Sequence, residues 1–426
     1  MYDYRDSEYR APSRPLRVLV VGGGVSGISV ARGLLRDGHD VTVFERRADM
    51  RAGGGAVTIW SNGSTVLDQL GVDMTGAGQP LSTVRVLTST GRALASLDVA
   101  TMAKRLGAPV RMVPRRVLLQ RLLAGFPTDR IRCDCRAGGV VSTADGVRVE
   151  FEDGSAVRGD LLIGADGLHS TVRDAFSRQA RQARQPGQDV EPTGWCSWQG
   201  LATLPGIVDD ERVAQVIIGD RGNLGLWPAG GGDLQWWFDL PWCRDFVRPQ
   251  RPIEVIRTNF TGWSDSVDRV LAALTDDDLA GSPYPHFRHR SVRPGHGPMT
   301  LLGDAAHTMP PTLAQGTNQA LLDTMVLRKA LVNLGSGGGG LPAALRWYEK
   351  TRRRQVMAVS RVASLQVSHG EAALRPATLI PDRVHTWALT QFLRRTSHRR
   401  MAAQISHDVA MAAKTTTRSC FSGQGP

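Results

Sequence analysis

One turn constrains this chain more than any other feature of its sequence. Gly22-Gly23-Gly24-Val25-Ser26-Gly27 follows directly on the apolar run Arg17-Val18-Leu19-Val20-Val21. That run is short and β-branched, which predicts a buried parallel strand. Ile28 to Leu35 carries a helical pattern ending near Gly38, and Val41-Thr42-Val43-Phe44 predicts a second strand closed by Glu45. The turn is therefore G-x-G-x-x-G within a strand–loop–helix–strand unit. Gly22 permits the tight turn, Gly24 lets the backbone approach a pyrophosphate, and Gly27 lets the helix pack closely on the strand. Ser26 lies in the first turn of that helix, whose free N–H groups and positive dipole end suit phosphate. Glu45, 23 residues after Gly22, stands where a carboxylate accepts hydrogen bonds from a ribose, with Arg46 beside it. The unit points to a dinucleotide. It does not separate FAD from NAD, although Glu45 disfavours a ribose 2'-phosphate here.

Composition bounds the remaining classes. With 426 residues, 41% hydrophobic and 22% charged, the chain has the make-up of a globular protein large enough for two joined domains. No apolar run approaches the roughly 18–20 residues that span a bilayer. The polar start MYDYRDSEYRAPSRP lacks the apolar stretch of a signal peptide, so residues 1–15 are expected to be a flexible lead-in and the location cytoplasmic. Five scattered cysteines, Cys133, Cys135, Cys196, Cys243 and Cys420, argue against a disulfide framework. Cys133 and Cys135 alternate in an expected strand with no further ligand nearby, so no metal site is expected. The net charge is +12, and from Leu341 onward 14 basic and 4 acidic residues give a net of +10. That region reads as a solvated helical face, and no nucleic-acid-binding motif accompanies it.

Two further motifs settle the cofactor. Leu161-Leu162-Ile163 is a second buried strand running into Gly164-Ala165-Asp166-Gly167-Leu168-His169-Ser170-Thr171-Val172-Arg173. Met299-Thr300-Leu301-Leu302 leads into Gly303-Asp304-Ala305-Ala306-His307, followed by Pro310-Pro311-Thr312-Leu313-Ala314-Gln315-Gly316-Thr317-Asn318-Gln319-Ala320. With the glycine turn, these three segments resemble the class A flavoprotein monooxygenases of the p-hydroxybenzoate hydroxylase fold. The salicylate- and urate-hydroxylase-like members are most similar. The resemblance runs from about Arg17 to Ser364, and at this length the extra C-terminal domain of the phenol hydroxylases is not expected.

The resemblance implies an α/β fold: an FAD-binding Rossmann-like domain, an interleaved antiparallel-sheet substrate domain and C-terminal helices. Residues 16–80, 105–180 and 290–340 are expected to form the FAD-binding domain, and 81–104 with 190–289 the substrate-binding sheet. Residues 341–413 would be the C-terminal helices and 414–426 a flexible tail. Cofactor contacts are expected from Gly22, Gly24, Ser26, Gly27, Glu45, Arg46, Gly55, Arg115, Asp166, Asp304, Pro311, Gln315, Gly316, Thr317 and Asn318. Asp304 would hold a ribityl hydroxyl, unless it is only a helix cap. The helix beginning near Gln315, with its long apolar stretch Ala320 to Leu334, would aim N–H groups at the flavin's N1 and C2 carbonyl. Arg173 lies seven residues after Asp166, spaced to bridge to it. Arg115, with Leu118 and Leu122, fits the family's R-x-x-L-x-x-x-L helix, although Arg116 fits one register on. Met50 to Ala56 resembles the glycine-rich stretch near the isoalloxazine, with Ser61 or Asn62 capping the next helix.

Two departures stand out. Ala314 replaces the usual glycine before Gln-Gly, and Ser197-Trp198-Gln199-Gly200 carries Gln199 where the family often has arginine. Gln199 and Pro311 are the expected catalytic-site residues, Pro311 by shape at the flavin edge. Tyr284, His286 and His289 are further polar candidates. Strands over Cys196–Leu204, Ala214–Gly219, Asn223–Trp227 and Leu234–Leu240 would roof the pocket, with Trp198, Trp227, Trp236, Trp237 and Phe238 divided between its faces. The loop Gly335 to Gly340 follows a helix, so it is no second nucleotide turn, and NADPH or NADH would bind only transiently.

The implied function is oxygenation of a small aromatic or polyketide-like molecule by O2 through a flavin C4a-hydroperoxide, by hydroxylation or epoxidation. A flavin-dependent halogenase is an alternative, though Trp236-Trp237-Phe238 does not match its W-x-W-x-I-P segment. An FAD-binding protein without oxygenase activity, or a plain NAD dehydrogenase, are the others.

Overall fold

The computed structural model describes residues 15–51, 53–143, 145–179, 190–289, 295–332, 334, 340–366 and 378–407. The expected N-terminal lead-in up to residue 14, Ala52, most of the expected polar loop from Arg178 to Gln188, the glycine run 335–339 and the tail from 414 lie outside the described residues.

Strand β1 (Arg17–Val21), helix α1 (Val25–Arg36) and strand β2 (Asp40–Phe44) form the unit around the glycine turn. Then come β3 (Ala56–Ile59), α2 (Ser61–Gln69), β4 (Gln79–Pro80), the hairpin β5 (Thr83–Thr88) and β6 (Ala93–Asp98), α3 (Val99–Leu106), β7 (Arg111–Pro114) and α4 (Arg115–Leu123). The middle carries β8 (Ile131–Arg132), β9 (Ala137–Thr143), β10 (Gly146–Phe151), β11 (Ala156–Gly159), β12 (Leu161–Gly164) and α5 (Thr171–Gln179). Next are β13 (Val190–Thr203), β14 (Val213–Gly219), β15 (Gly222–Gly230), β16 (Asp233–Pro241), α6 (Pro252–Phe260), α7 (Asp265–Ala273) and β17 (Tyr284–His289). The last elements are β18 (Met299–Leu301), α8 (Asp304–His307), α9 (Gly316–Val332), α10 (Gly340–Gln366) and α11 (Asp382–Thr396).

The apolar runs that precede the three motifs lie side by side. One sheet has the order β18-β12-β1-β2-β8, and each of its pairs is parallel. Its central strands are buried on both faces, as their continuous Val, Leu and Ile content requires. Helices α1 and α9 pack against each other over it, joining Ile28, Leu34, Leu321 and Val326 in one core. Because the strands are parallel and adjacent, their carboxyl ends share one edge of the sheet. That edge is where open α/β sheets bind ligands.

The second large sheet has the order β17-β13-β16-β15-β14-β5-β6. It is antiparallel as expected except at one pair: β14 runs parallel to β5, with Val213 opposite Thr83 and Ile218 opposite Thr88. Alternation divides its aromatics between two faces. Trp198, Trp236 and Phe238 are buried against Ile256 and Phe260 of α6 and Val267 of α7. Trp227 and Trp237 occupy the other face, their rings 5.7 Å apart. Gly225 makes room there, because a Cβ on it would lie 2.0 Å from the Trp237 indole.

Two local expectations are corrected. Cys133 and Cys135 do not lie in a strand: the chain turns at Asp134, whose φ is +57°. Helix α2 has Trp60 at its N-cap and no capping side chain. Ser61 donates to the Ala108 carbonyl and Asn62 to Gln315 Oε1 instead.

Candidate active site

The carboxyl edge of the parallel sheet is stitched turn to turn. Gly22 N–H donates to the Phe44 carbonyl, Ala165 N–H to Val21 and Leu302 N–H to Gly164, at 2.8–2.9 Å. The glycines do distinct work. A Cβ on Gly22, whose φ is +107°, would lie 2.4 Å from the Ala165 carbonyl oxygen, and one on Gly27 would lie 1.8 Å from that of Gly22. Gly24 differs: a Cβ there would meet nothing within 4 Å. Two glycines are therefore needed for packing, and the third faces open space. Gly24 is also the N-cap of α1, with no side-chain cap, so the helix's first N–H groups are left for a ligand.

Carboxylates from three neighbouring strands gather at this edge. Glu45 follows β2; its Oε2 accepts from Gly23 N–H at 2.8 Å and its Oε1 from Arg47 N–H at 3.1 Å. A surface recess lined by Arg47, Ala48, Asp49, Arg51 and Gly53 opens beside it, and Arg46 is exposed. Asp166 follows β12; its Oδ2 accepts from Val172 N–H, while its buried Oδ1 has no partner. Burial raises the Asp166 carboxyl above the usual range. Arg173 N–H donates to Ser170 Oγ, and the Arg173 guanidinium donates to the carbonyls of Ala305 and Leu168. The bridge that its spacing from Asp166 suggested is not among these contacts. Asp304 follows β18 and is exposed within the otherwise buried stretch 301–310. It is not a helix cap: that position belongs to Gly303, at φ +55°, and no side-chain cap bond is made. A Cβ on Gly303 would lie 2.6 Å from Ser26 Oγ, so this turn abuts the first.

The start of α9 closes the site from a fourth direction. Asn318 is fully buried. Its Oδ1 accepts from Trp60 N–H, and its Nδ2 donates to the carbonyls of Thr58 and Ala314, at 2.9 Å each. Its side chain thus holds β3 and α2 against α9, leaving only its backbone for a ligand. Gln315 Oε1 accepts from Asn62 and Gln319, while its buried Nε2 is unpartnered. Gly316 has open space where a Cβ would stand, Thr317 is half-buried, and Pro311 is exposed. Ala314 takes the left-handed conformation its glycine counterpart would take, at φ +49° and ψ +37°.

The second sheet faces these turns. Gln235 on β16 accepts from Ala56 N–H, and Gly55, at φ +90°, approaches the same Gln235 oxygen. Gln199 is half-buried and is the register partner of Trp237. The Arg115 backbone N–H donates to the Gly55 carbonyl, and its side chain is exposed; Arg116 instead pairs with Asp233 at 3.3 Å. β17 is tied to the segment before Pro311 through His289, whose N–H donates to the Thr308 carbonyl and whose Nδ1 accepts from Thr308 N–H. Tyr284 is exposed, and His286 is buried beside Ser197 and Asp239. Behind the Gly303 turn, Asp323 accepts from Gly303 N–H at 2.8 Å, from Arg352 Nε at 2.7 Å, and meets His307 Nε2 at 2.6 Å.

The FAD-binding domain family matches residues 15–363 of the sequence. The chain belongs to that family. Among curated relatives, the FAD-dependent urate hydroxylase of Klebsiella oxytoca is 28% identical over 362 residues, 84% of this chain and 91% of the relative. The 3-amino-4-hydroxybenzoate 2-monooxygenase PtmB3 of Streptomyces platensis is 30% identical over 370 residues, 82% of this chain and 87% of the relative. Among solved structures, Klebsiella pneumoniae HpxO complexed with FAD and uric acid is similar with a TM-score of 0.74 and 26% identity, over 94% of this chain and 98% of that one.

An FAD-binding family member needs a bare helix N-terminus, room for a pyrophosphate and polar groups spaced along a long ligand. The open side of Gly24, the uncapped α1, the exposed Asp304, the unpartnered Asp166 Oδ1 and Gln315 Nε2, and the open side of Gly316 fit those needs in order along one edge. Among the described residues no group of three or more His, Cys, Asp or Glu is placed to hold a metal, and no helix is long and apolar enough to cross a membrane. Asp323, Arg352, Gln235, Ser197 and Asp239 carry no motif; a polar residue in an apolar helix or a strand's inner face is the one signal that marks them.

Proposed function

We propose that this chain is an FAD-dependent monooxygenase that consumes NADPH or NADH and oxygenates a small aromatic or polyketide-like molecule, by hydroxylation or epoxidation. The observation that carries the reading is the division among Gly22, Gly24 and Gly27: two glycines are spent on packing, and the one beside the bare helix end is spent on open space. The urate hydroxylase and the aminohydroxybenzoate monooxygenase among its relatives support the reaction class.

The flavin, reduced by the nicotinamide cofactor, supplies activation of O2 and transfer of one oxygen atom. The chain's own residues bind and shield. The first N–H groups of α1 hold the pyrophosphate, Glu45 a ribose and Asp304 a ribityl hydroxyl. Arg115 and the Gly55 stretch would hold the ring. The first N–H groups of α9, at Gly316, Thr317 and Asn318, would stabilise negative charge on it. Residues 16–80, 105–180 and 290–340 would serve the cofactor, and 81–104 with 190–289 the substrate. Gln199, Trp227 and Trp237 give the substrate an apolar wall with one amide, and Pro311 limits its approach by shape. Exclusion of water by this wall favours productive oxygen transfer over release of hydrogen peroxide.

The test is substrate-stimulated oxidation of NADPH or NADH by the purified, FAD-loaded protein across a panel of phenolic and polyketide-like compounds. The reading expects one compound at least to accelerate consumption and to gain one oxygen atom in mass. Flavin-bound protein that oxidises neither nicotinamide with any compound in the panel counts against it.

A further inference from the structure

Helix α11 presents two faces of different character. The inner one holds it to the fold: Thr386 Oγ1 accepts from Asp98 N–H, Thr390 and Leu393 are buried, and Leu389 and Phe392 pack into the core that contains Trp227. The outer one is apolar at its start. Val384, Trp387, Gln391 and Arg394 recur at three- and four-residue spacing, so they share one side of the helix. Val384 is 40% and Trp387 54% exposed, while Leu379 and Ile380, just before the N-cap Pro381, are 84% and 45% exposed. Among the described residues the other large apolar side chains so exposed are Val141, Val247, Tyr284 and Leu365, and Leu365 lies at the end of α10. Single exposed apolar side chains are ordinary, but a cluster of them marks an interaction surface.

Positive charge surrounds this cluster. Arg383, Arg394, Arg395, Arg399 and Arg400 are exposed, and among the described residues no acidic side chain pairs with any of them. The one acid on α11, Asp382, turns its Oδ1 to the Ser96 N–H. α10 meets α11 through Gln355, whose Nε2 donates to the Arg395 carbonyl at 3.5 Å. It adds Arg346, Lys350, Arg353 and Arg361, exposed at helical spacing over about 22 Å. The summed potential favours a polyanion. The apolar residues then choose among polyanions. Nucleic acid offers phosphates but nothing for a row of aliphatic side chains. A second copy on a two-fold axis would set the same arginines against each other. An acidic protein would have to supply a pocket fitted around Leu379 and Trp387. An anionic lipid surface meets both demands: its fluid acyl boundary accepts protruding side chains of any shape, and its phosphodiesters pair with guanidinium groups.

We propose that the outer face of α11 docks this protein on an anionic lipid surface. The helix lies in the interface and does not cross it. Leu379, Ile380, Val384 and Trp387 enter the headgroup layer, Trp387 at the depth its amphipathic ring prefers, and the arginines bind lipid phosphates. The proposal goes beyond the oxygenase reading and does not depend on it, since no residue of this face is assigned to FAD or substrate.

The test is flotation of the full chain with vesicles of phosphatidylcholine alone, and of phosphatidylcholine and phosphatidylglycerol in equal parts. Polyglutamate and duplex DNA serve as soluble competitors at equal concentration of anionic groups. Wild type is expected to bind the phosphatidylglycerol vesicles about tenfold or more tightly than the neutral ones, to be released by salt, and to stay bound against either competitor. That comparison needs no variant. Arg394→Gln should weaken the binding about fivefold, and Leu379→Ser with Trp387→Ser about tenfold or more. Arg244→Gln removes the same charge from an exposed position beyond β16 and should change the binding less than about twofold. All these side chains are exposed, so melting temperatures should match wild type. No binding to phosphatidylglycerol vesicles, equal binding to both vesicle types, equal losses in Arg244→Gln and Arg394→Gln, or undiminished binding by the Leu379 and Trp387 variant would overturn the proposal. Displacement from the vesicles by polyglutamate or by DNA would overturn it in favour of an acidic protein or a nucleic acid.

Discussion

Asp323 and Arg352 meet at 2.7 Å with side chains 0% and 2% exposed, so the pair joins α9 to α10 deep behind the Gly303 turn. Removing one partner strands the other charge in the interior. Asp323→Ala should destabilise the protein by about 3–5 kcal/mol and, by freeing the Gly303 N–H, weaken flavin retention. Burial pushes the Asp323 carboxyl up, but His307 and Arg352 outweigh it and bring it down to about 2. The unfolded value is about 3.9. Because the folded value is the lower one, the stabilisation is present above about pH 4 and is lost as pH falls toward 2. Thermal melting of wild type and variant across that window tests this; parallel curves would contradict it.

The glycine turn makes a sharper contrast. Gly27→Ala places a methyl 1.8 Å from a carbonyl oxygen and should lower the melting temperature of the apoprotein. Gly24→Ala places one in open space and should leave apoprotein melting unchanged while weakening FAD binding about tenfold or more. Equal effects of the two on apoprotein stability would remove the distinction.

Ala314 sits in a conformation that glycine adopts without cost. Left-handed backbone costs an L-residue roughly 1–2 kcal/mol, and glycine returns roughly 0.5–1 kcal/mol of that in chain entropy. Ala314→Gly should therefore raise stability by up to about 1 kcal/mol in denaturant unfolding, with FAD retained. A loss of stability would mean that the αL turn is not the native one.

Gly225→Val tests the apolar wall, because even its Cβ would enter the Trp237 ring. Overpacking of this kind costs typically 1–3 kcal/mol. Displacement of the indole should raise KM for any active substrate more than it alters flavin content. Unchanged kinetics would place the substrate elsewhere.

The strand–turn–helix unit at Gly22, and the strands before Asp166 and Gly303, were legible because each is a continuous apolar run broken by glycine. Local sequence suffices for such a run. The parallel pairing of β5 with β14 was not legible, since Thr83 and Val213 are far apart in sequence and nothing local encodes their meeting. Asn318 carried a family motif, but that it spends its side chain on Trp60, Thr58 and Ala314 emerges only from packing. His286 was a visible candidate; its partners Ser197 and Asp239 depend on register across three strands. Cys133 and Cys135 alternate as strand residues do, but the positive φ of Asp134 between them turns the chain, and no local pattern signals that turn.

The central claim is that the turns after β1, β12 and β18 grip one flavin. The most direct measurement is the absorbance spectrum of the purified chain after incubation with FAD and removal of free cofactor. A retained flavin band at one FAD per chain, diminished by Gly24→Ala, is the expected result. A colourless protein, or a wild-type band no stronger than that of Gly24→Ala, would contradict the account.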